Sequence, residues 1–146
     1  MSEGCIFCRI VEGIEPASVV CQDDLAVAFV DLRQFHPGHV LVIPRQHVPD
    51  VRGLDAATGS AVMAMVSRVT QAVSEAFPNQ GISLWHSIGE AAFQEVPHLH
   101  IHVHPRLAGD DFLRVYPRAP DTPSKAVRDE YAEMVRSRLK LSGQQI

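Results

Sequence analysis

The sequence contains few cysteines, no long apolar run and no excess of basic residues. Three cysteines in 146 residues are too few for the disulfide scaffold of a small secreted protein. No run approaches the roughly 18 apolar residues of a membrane span, and residues 1–5 lack the pattern of a signal peptide. The formal net charge of −4 disfavours nucleic acid and anionic membranes, which bind basic surfaces. We therefore expect a cytoplasmic protein with no nucleic-acid or membrane partner.

Hydrophobic periodicity predicts an α+β fold. A long helix is predicted over 54–77, with Asp55 as its N-cap and Pro78 as its stop. A C-terminal helix is predicted over 122–140, with Thr122 as N-cap and Pro123 in the first turn. Short turns between the early strands favour antiparallel pairing, and the five strands are expected near 19–21, 25–31, 39–43, 81–86 and 98–104. We expect a single domain over 1–146, with a core over 5–106 and a C-terminal extension.

Two of the three cysteines, Cys5 and Cys8, form a Cys-x-x-Cys pair. Two cysteines at this spacing can bind one metal ion, form a redox pair, or simply be buried. A redox pair usually lies where a strand enters a helix of a βαβ unit, and no such unit is predicted here. The pair alone leaves metal binding and burial open.

Four of the eight histidines lie in residues 98–104, which read HLHIHVH. On a strand, alternate side chains point to opposite faces. His98, His100, His102 and His104 are therefore predicted to share one face, with the three apolar residues on the core face. Such a row suits metal binding, acid–base catalysis or nucleophilic attack on phosphorus. The spacing alone does not choose among these chemistries.

Residues 94–106, QEVPHLHIHVHPR, resemble the signature of the histidine triad (HIT) family of nucleotide hydrolases and transferases. Residues 5–10, 28–32 and 37–47 are also similar to family sequence. The resemblance implies an antiparallel five-stranded sheet that carries a long helix, in a homodimer whose two sheets join. It also implies hydrolysis at the α-phosphate of a purine nucleotide, either a phosphoramidate or a dinucleoside polyphosphate, through a nucleotidyl-histidine intermediate.

The resemblance assigns a role to each matching residue. His100 would be the nucleophile, while His102 and Gln94 would contact the phosphate or leaving group. Asp31 would bind the ribose hydroxyls, and Ser87 would stand in for an asparagine that contacts phosphate. The slot for the base would consist of apolar side chains, namely Ile6, Phe7, Ile10, Phe29 and Leu32. Structural Zn²⁺ would be bound by Cys5, Cys8, His47 and His98.

Three residues depart from the family pattern. Phe93 replaces a common glycine, Ser87 replaces the asparagine, and His104 replaces an apolar residue and is expected at the solvent edge of the row. His39 is expected to be a structural hydrogen-bonding residue. Phe93 and Ser87 keep open the alternative of a nucleotide-binding regulatory module with weak catalysis. A further alternative is hydrolysis by a water molecule activated on zinc.

Overall fold

The computed structural model of the protein describes residues 3–139. The chain divides into two compact units, Met1–Phe112 and Leu113–Ile146. Within residues 3–139, the first unit contains five strands and two α-helices, and the second contains one α-helix. Among the described residues, no helix is both long and apolar enough to cross a membrane.

The first unit is built on a five-stranded antiparallel sheet with the strand order β1-β2-β3-β5-β4. This arrangement confirms the predicted fold class. The strands are β1 (Val19–Gln22), β2 (Ala26–Val30), β3 (Val40–Pro44), β4 (Gly81–Trp85) and β5 (Ile101–Arg106). β5 begins three residues later than predicted, so His98 and His100 precede the strand. It also continues through Pro105, where the sequence predicted its end.

The long helix α2 (Ala56–Ala76) covers one face of the sheet. As predicted, Asp55 caps its N-terminus by accepting a hydrogen bond from the Thr58 N–H at 2.9 Å. Its buried valines pack with Leu99 and Val103 in one apolar cluster. Fully burying a valine or leucine side chain contributes about 1.5–3 kcal/mol, so this face fixes the side of the sheet to which residues 99–103 present their apolar side chains.

A short helix, α1 (Ile6–Val11), was not predicted and packs with the other face of the sheet. Phe7 and Cys8 lie in a second apolar cluster with Phe29 and Leu41. Leu41 is the register partner of His102, so the histidine side chains share the face that α1 partly covers. The predicted alternation of the histidine row is therefore confirmed.

The second unit contains α3 (Lys125–Arg136). Its N-cap is Ser124, whose hydroxyl accepts a hydrogen bond from the Val127 N–H at 3.3 Å. The predicted N-cap, Thr122, is thus wrong by two residues, because Ser124 supplies the capping oxygen. The last residue of the predicted span, 140, lies outside the described residues.

Candidate active site and metal centre

Four side chains from three separate segments meet behind the histidine row. Cys5 and Cys8 come from α1 and its N-cap, His47 follows β3, and His98 precedes β5. One ligand atom from each lies within 4.8 Å of all the others. This Cys₂His₂ group can hold a metal ion, and three of its members are buried.

Hydrogen bonding prepares His98 for such a role. Its Nε2–H donates to the Pro44 carbonyl at 2.9 Å. The lone pair of the neutral ring is therefore on Nδ1, which lies 3.5 Å from Cys5 Sγ and 3.6 Å from Cys8 Sγ. A histidine that binds a metal usually donates its other ring N–H to a carbonyl or carboxylate in this way. Burial lowers the pKa of His98, which favours the neutral, ligating form.

His100 is oriented by the backbone of the same segment. Its Nδ1–H donates to the His98 carbonyl at 2.7 Å, so its lone pair is on Nε2. The residue is only 6% exposed, and the Phe7 ring meets it edge-on at a centroid distance of 5.2 Å. Nε2 of a neutral imidazole is a competent nucleophile or general base.

His102 is fixed by a chain of two hydrogen bonds. His39 Nδ1–H donates to the Arg33 carbonyl at 3.2 Å, and His102 Nδ1–H donates to His39 Nε2 at 2.9 Å. The expectation that His39 is a structural hydrogen-bonding residue agrees with this arrangement. The Trp85 ring stacks on His102 at 4.2 Å with 5° between the planes. Burial, followed by the neighbouring histidines, lowers the pKa of His102 to about 3, so the ring is neutral near pH 7 with its lone pair on Nε2.

A cleft of about 620 Å³ opens beside this row, on the α1 side of the sheet. Its size is in the range typical of small-molecule sites. All six residues predicted to bind the base and ribose line it, namely Ile6, Phe7, Ile10, Phe29, Asp31 and Leu32. Phe7 both lines the cleft and contacts the His100 ring, so the cleft adjoins the row.

Gln94 and Ser87 lie in the loop between β4 and β5. The Gln94 side-chain amide donates to the Pro49 carbonyl at 2.7 Å and accepts from the Gly89 N–H at 2.9 Å. Its amide group therefore holds the loop in this structure. Ser87 is half-buried and lies two residues after β4.

Phe93 has a left-handed backbone conformation (φ 63°, ψ 33°) and is 88% exposed. Glycine adopts this conformation without the steric cost that other residues incur, about 1–2 kcal/mol. The Phe93→Gly variant should therefore be more stable by about 0.5–1 kcal/mol, after the greater unfolded-state entropy of glycine is subtracted.

Thermal unfolding should show a melting temperature about 1–4 °C higher for Phe93→Gly. The matched control is Ala92→Gly, one residue earlier, where φ is not positive. That change should lower the melting temperature. A decrease for both variants would contradict the strain at Phe93.

His104 is completely buried, so its predicted place at the solvent edge is wrong. Its Nδ1–H donates to the Pro105 carbonyl at 2.7 Å, and among the described residues its Nε2 has no hydrogen-bond partner. Phe112 stacks on the ring at 4.3 Å. Asp110, in the segment after β5, lies with its Oδ2 3.0 Å from His36 Nε2. The His36 ring in turn lies beside the His104 ring, at a centroid distance of 5.8 Å. The segment after β5 thus folds back and covers the end of the row.

Burial lowers the pKa of His104 below its ordinary 6.5, and this makes a pH-dependent prediction. The unfolded chain binds a proton at this residue at a higher pH than the folded chain does. The folding stability is thus fully present above pH 6.5 and falls as the pH drops toward the lowered pKa, by at most about 1.4 kcal/mol per pH unit. His104→Leu removes this loss.

We expect the melting temperature of His104→Leu to depend less steeply on pH than that of the wild type between about pH 7 and pH 5. Scanning calorimetry across this range measures the difference. Near pH 7 the two proteins should be similar in stability, because the variant loses one hydrogen bond but also removes an unpartnered buried nitrogen. Parallel pH curves would refute the assignment.

Sequence reasoning missed two features of the site. Trp85, the only tryptophan of the chain, stacks on His102 because the two are register partners on β4 and β5. Arg33 lines the cleft and pairs with Glu95. The alternation of side chains along β4 could have predicted that Trp85 faces the histidine row. No local pattern predicts the Arg33–Glu95 pair, since the two residues are 62 positions apart in the sequence.

Comparison with known proteins relates this geometry to a family. The HIT domain profile matches residues 12–109. An adenosine 5'-monophosphoramidase from Schizosaccharomyces pombe is 30% identical over 135 residues, covering 90% of this chain and 98% of that protein.

Solved structures show the same relationship. The crystal structure of a HIT family member from Bacillus subtilis has a TM-score of 0.88 at 30% identity and covers 96% of this chain and all of that one. The structure of a zinc-bound histidine triad family protein from Mycobacterium smegmatis has a TM-score of 0.69 at 34% identity and covers 92% of this chain and 91% of that one. With its profile match, fold and histidine row in agreement, the chain belongs to the HIT family.

Proposed function

We propose that the protein is a nucleotide hydrolase that cleaves at the α-phosphate of a purine nucleotide through a nucleotidyl-histidine intermediate. The observation that carries the proposal is the orientation of His100. Its Nδ1–H is held by the His98 carbonyl, so the Nε2 lone pair is available beside a nucleotide-sized cleft. The similarity to an adenosine 5'-monophosphoramidase supports the same chemistry.

The substrate would be positioned from its base to its phosphate. The apolar side chains of the cleft take the base. The Asp31 carboxylate, which also accepts a hydrogen bond from the Arg33 N–H at 2.7 Å, has acceptor capacity left for the ribose hydroxyls. Since Phe7 connects the cleft to His100, the phosphate then lies over the row.

In the first step, His100 Nε2 forms a bond to the α-phosphorus. The bond to the leaving group breaks, and the leaving group takes the electron pair. The hydrogen bond to the His98 carbonyl stabilises the positive charge that develops on the His100 ring. Two products result: the departing group and a nucleotide attached to His100.

His102 would serve as acid and then as base. Burial keeps the free ring neutral, but a bound anionic phosphate favours the protonated form. The proton on Nε2 then passes to a leaving group that requires one. In the second step, water attacks the phosphorus, His102 Nε2 accepts the proton of this water, and the electron pair of the N–P bond returns to His100.

We propose that the Cys₂His₂ group binds structural Zn²⁺. In a tetrahedral centre with Zn–S near 2.3 Å and Zn–N near 2.05 Å, sulfur and nitrogen are about 3.6 Å apart. Three of the four S···N distances in the group are 3.3, 3.5 and 3.6 Å. Four protein ligands close the tetrahedron, so the ion would fix α1 to the histidine row and leave no position for a reacting water. This argues against hydrolysis by metal-activated water.

We also propose that the protein is a homodimer. β4 is an edge strand of the sheet, and its Leu84 is 48% exposed. An exposed edge of this kind pairs readily with another strand. Sedimentation at micromolar concentration would show a two-chain species, and a monomer throughout would disprove the dimer.

A second candidate function is a nucleotide-binding module with weak catalysis. It is favoured by the small exposure of His100 and by the involvement of the Gln94 amide in the loop. The deciding experiment incubates the protein with adenosine phosphoramidate and with dinucleoside polyphosphates and measures both binding and AMP release. A hydrolase turns over at least one of them, whereas a binding module shows affinity without product.

A further inference from the structure

An ion pair between Arg33 and Glu95 connects the β2–β3 loop to the β4–β5 loop. Arg33, in the β2–β3 loop, donates from Nη1 to Glu95 Oε1 at 3.3 Å and from Nη2 to Glu95 Oε2 at 2.5 Å. Glu95 precedes His98, the first residue of the histidine row, by three positions. Such a two-pronged arrangement is how arginine binds carboxylates and also phosphates.

The backbone of Arg33 is anchored to both halves of the proposed site. Its N–H donates to Asp31 Oδ1 at 2.7 Å, and its carbonyl accepts from His39, which in turn accepts a hydrogen bond from His102. The guanidinium therefore extends from a fixed point between the ribose-binding carboxylate and the catalytic row. Arg33 itself lines the cleft.

Glu95 is fixed from the other side. Its neighbour Gln94 is held at both ends of the side-chain amide, and its other neighbour, Val96, lines the cleft. The hydrogen bond from Arg33 lowers the pKa of the Glu95 carboxyl, with a smaller contribution from His100.

Arg33 differs in charge from the other residues around the cleft. Among the described residues that line the cleft, it has the only cationic side chain, beside the carboxylates of Glu15 and Asp31. Burial lowers the pKa of His39 and of His102, so these rings are neutral in the ligand-free protein. A nucleotide brings at least one negative phosphate charge, and among the described cleft-lining residues Arg33 offers it a permanent positive partner.

We propose that Arg33 binds the anionic group of the substrate and that Glu95 occupies Arg33 in the ligand-free protein as an internal competitor. The phosphate displaces the Glu95 carboxylate from the guanidinium, and the nucleotide gains access to His100. This inference rests on the proposed nucleotide-binding function, and it adds a charge-selecting residue to that site.

Displacing Glu95 from Arg33 costs little free energy, because the two side chains are 64% and 76% exposed. Solvent-exposed ion pairs contribute little, and their loss changes an equilibrium by about 1.5- to 5-fold. Glu95→Gln should therefore tighten AMP binding by about two- to fivefold. Arg33→Gln should weaken it by roughly tenfold, since it removes charge-assisted hydrogen bonds to the phosphate.

The test is titration calorimetry of the purified full chain with AMP and with adenosine, which lacks the phosphate. Adenosine affinity should be the same in wild type, Arg33→Gln and Glu95→Gln. Arg33→Lys should retain part of the AMP affinity that Arg33→Gln loses, because lysine keeps the positive charge but cannot donate two parallel hydrogen bonds to the phosphate. The matched control is Lys125→Gln, which removes the exposed Lys125–Asp129 pair and should leave both affinities unchanged.

Equal loss of AMP and adenosine affinity in Arg33→Gln would overturn the proposal, because it would show a general disturbance of the cleft. Unchanged AMP affinity in that variant, or no gain in Glu95→Gln, would overturn it as well. If wild-type protein binds neither AMP nor adenosine, the nucleotide function itself fails. The two failures are therefore distinguishable.

Discussion

Replacing His100 with alanine is expected to reduce nucleotide turnover by at least about 10³-fold, the order of loss seen when a catalytic nucleophile is removed. The variant lacks the ring whose Nε2 lone pair is fixed by the hydrogen bond to the His98 carbonyl and which contacts Phe7, a residue that lines the cleft. AMP affinity should change by less than about threefold, because the base and ribose contacts come from other residues.

The matched control is His104→Leu, in the same histidine row but at its covered end. It should retain turnover within a few-fold of the wild type. Rapid quenching of the wild-type reaction and mass analysis should detect one nucleotidyl group on the peptide that contains His100. Unchanged turnover in His100→Ala, or a modified residue elsewhere, would eliminate His100 as nucleophile.

Much of the fold and site follows from local sequence. The alternation of residues 98–104 correctly predicted which side chains face the core, because Leu99 and Val103 must be buried against α2. The capping residue Asp55 correctly marked the start of that helix. The Cys₂His₂ group and the apolar slot were identified through family resemblance, and the structure brings each set together.

The parts that sequence reasoning missed depend on long-range contacts. His104 is buried because residues 107–112 return over it, held by Asp110, which accepts hydrogen bonds from Arg106 at 2.8 and 2.6 Å. No periodic pattern encodes such a return. Likewise α1 is only six residues long, too short to be stable alone, and its packing against the sheet stabilises it.

Replacing Cys8 with serine should abolish metal binding and destabilise the protein. Elemental analysis should give one zinc per wild-type chain and almost none for the variant. Three of the four ligand residues are buried, and losing a structural metal is among the changes that cost about 4 kcal/mol or more. For a chain of this size the melting temperature should fall by on the order of 10 °C. The matched control is Cys21→Ala, outside the group, which should retain zinc and lose little stability.

Turnover should also fall in Cys8→Ser, since His98 belongs to both centres. Its Nδ1 faces the sulfurs, while its carbonyl accepts the His100 hydrogen bond, so a displaced His98 misorients the nucleophile. Exchange of zinc for Co²⁺, which also accepts tetrahedral thiolate and imidazole ligands, separates the two roles of a metal. With a structural ion the Co²⁺ protein keeps the wild-type kcat, because no reacting atom touches the metal. A kcat that changes with the identity of the metal, in a protein of unchanged stability, would instead favour water activated on the ion.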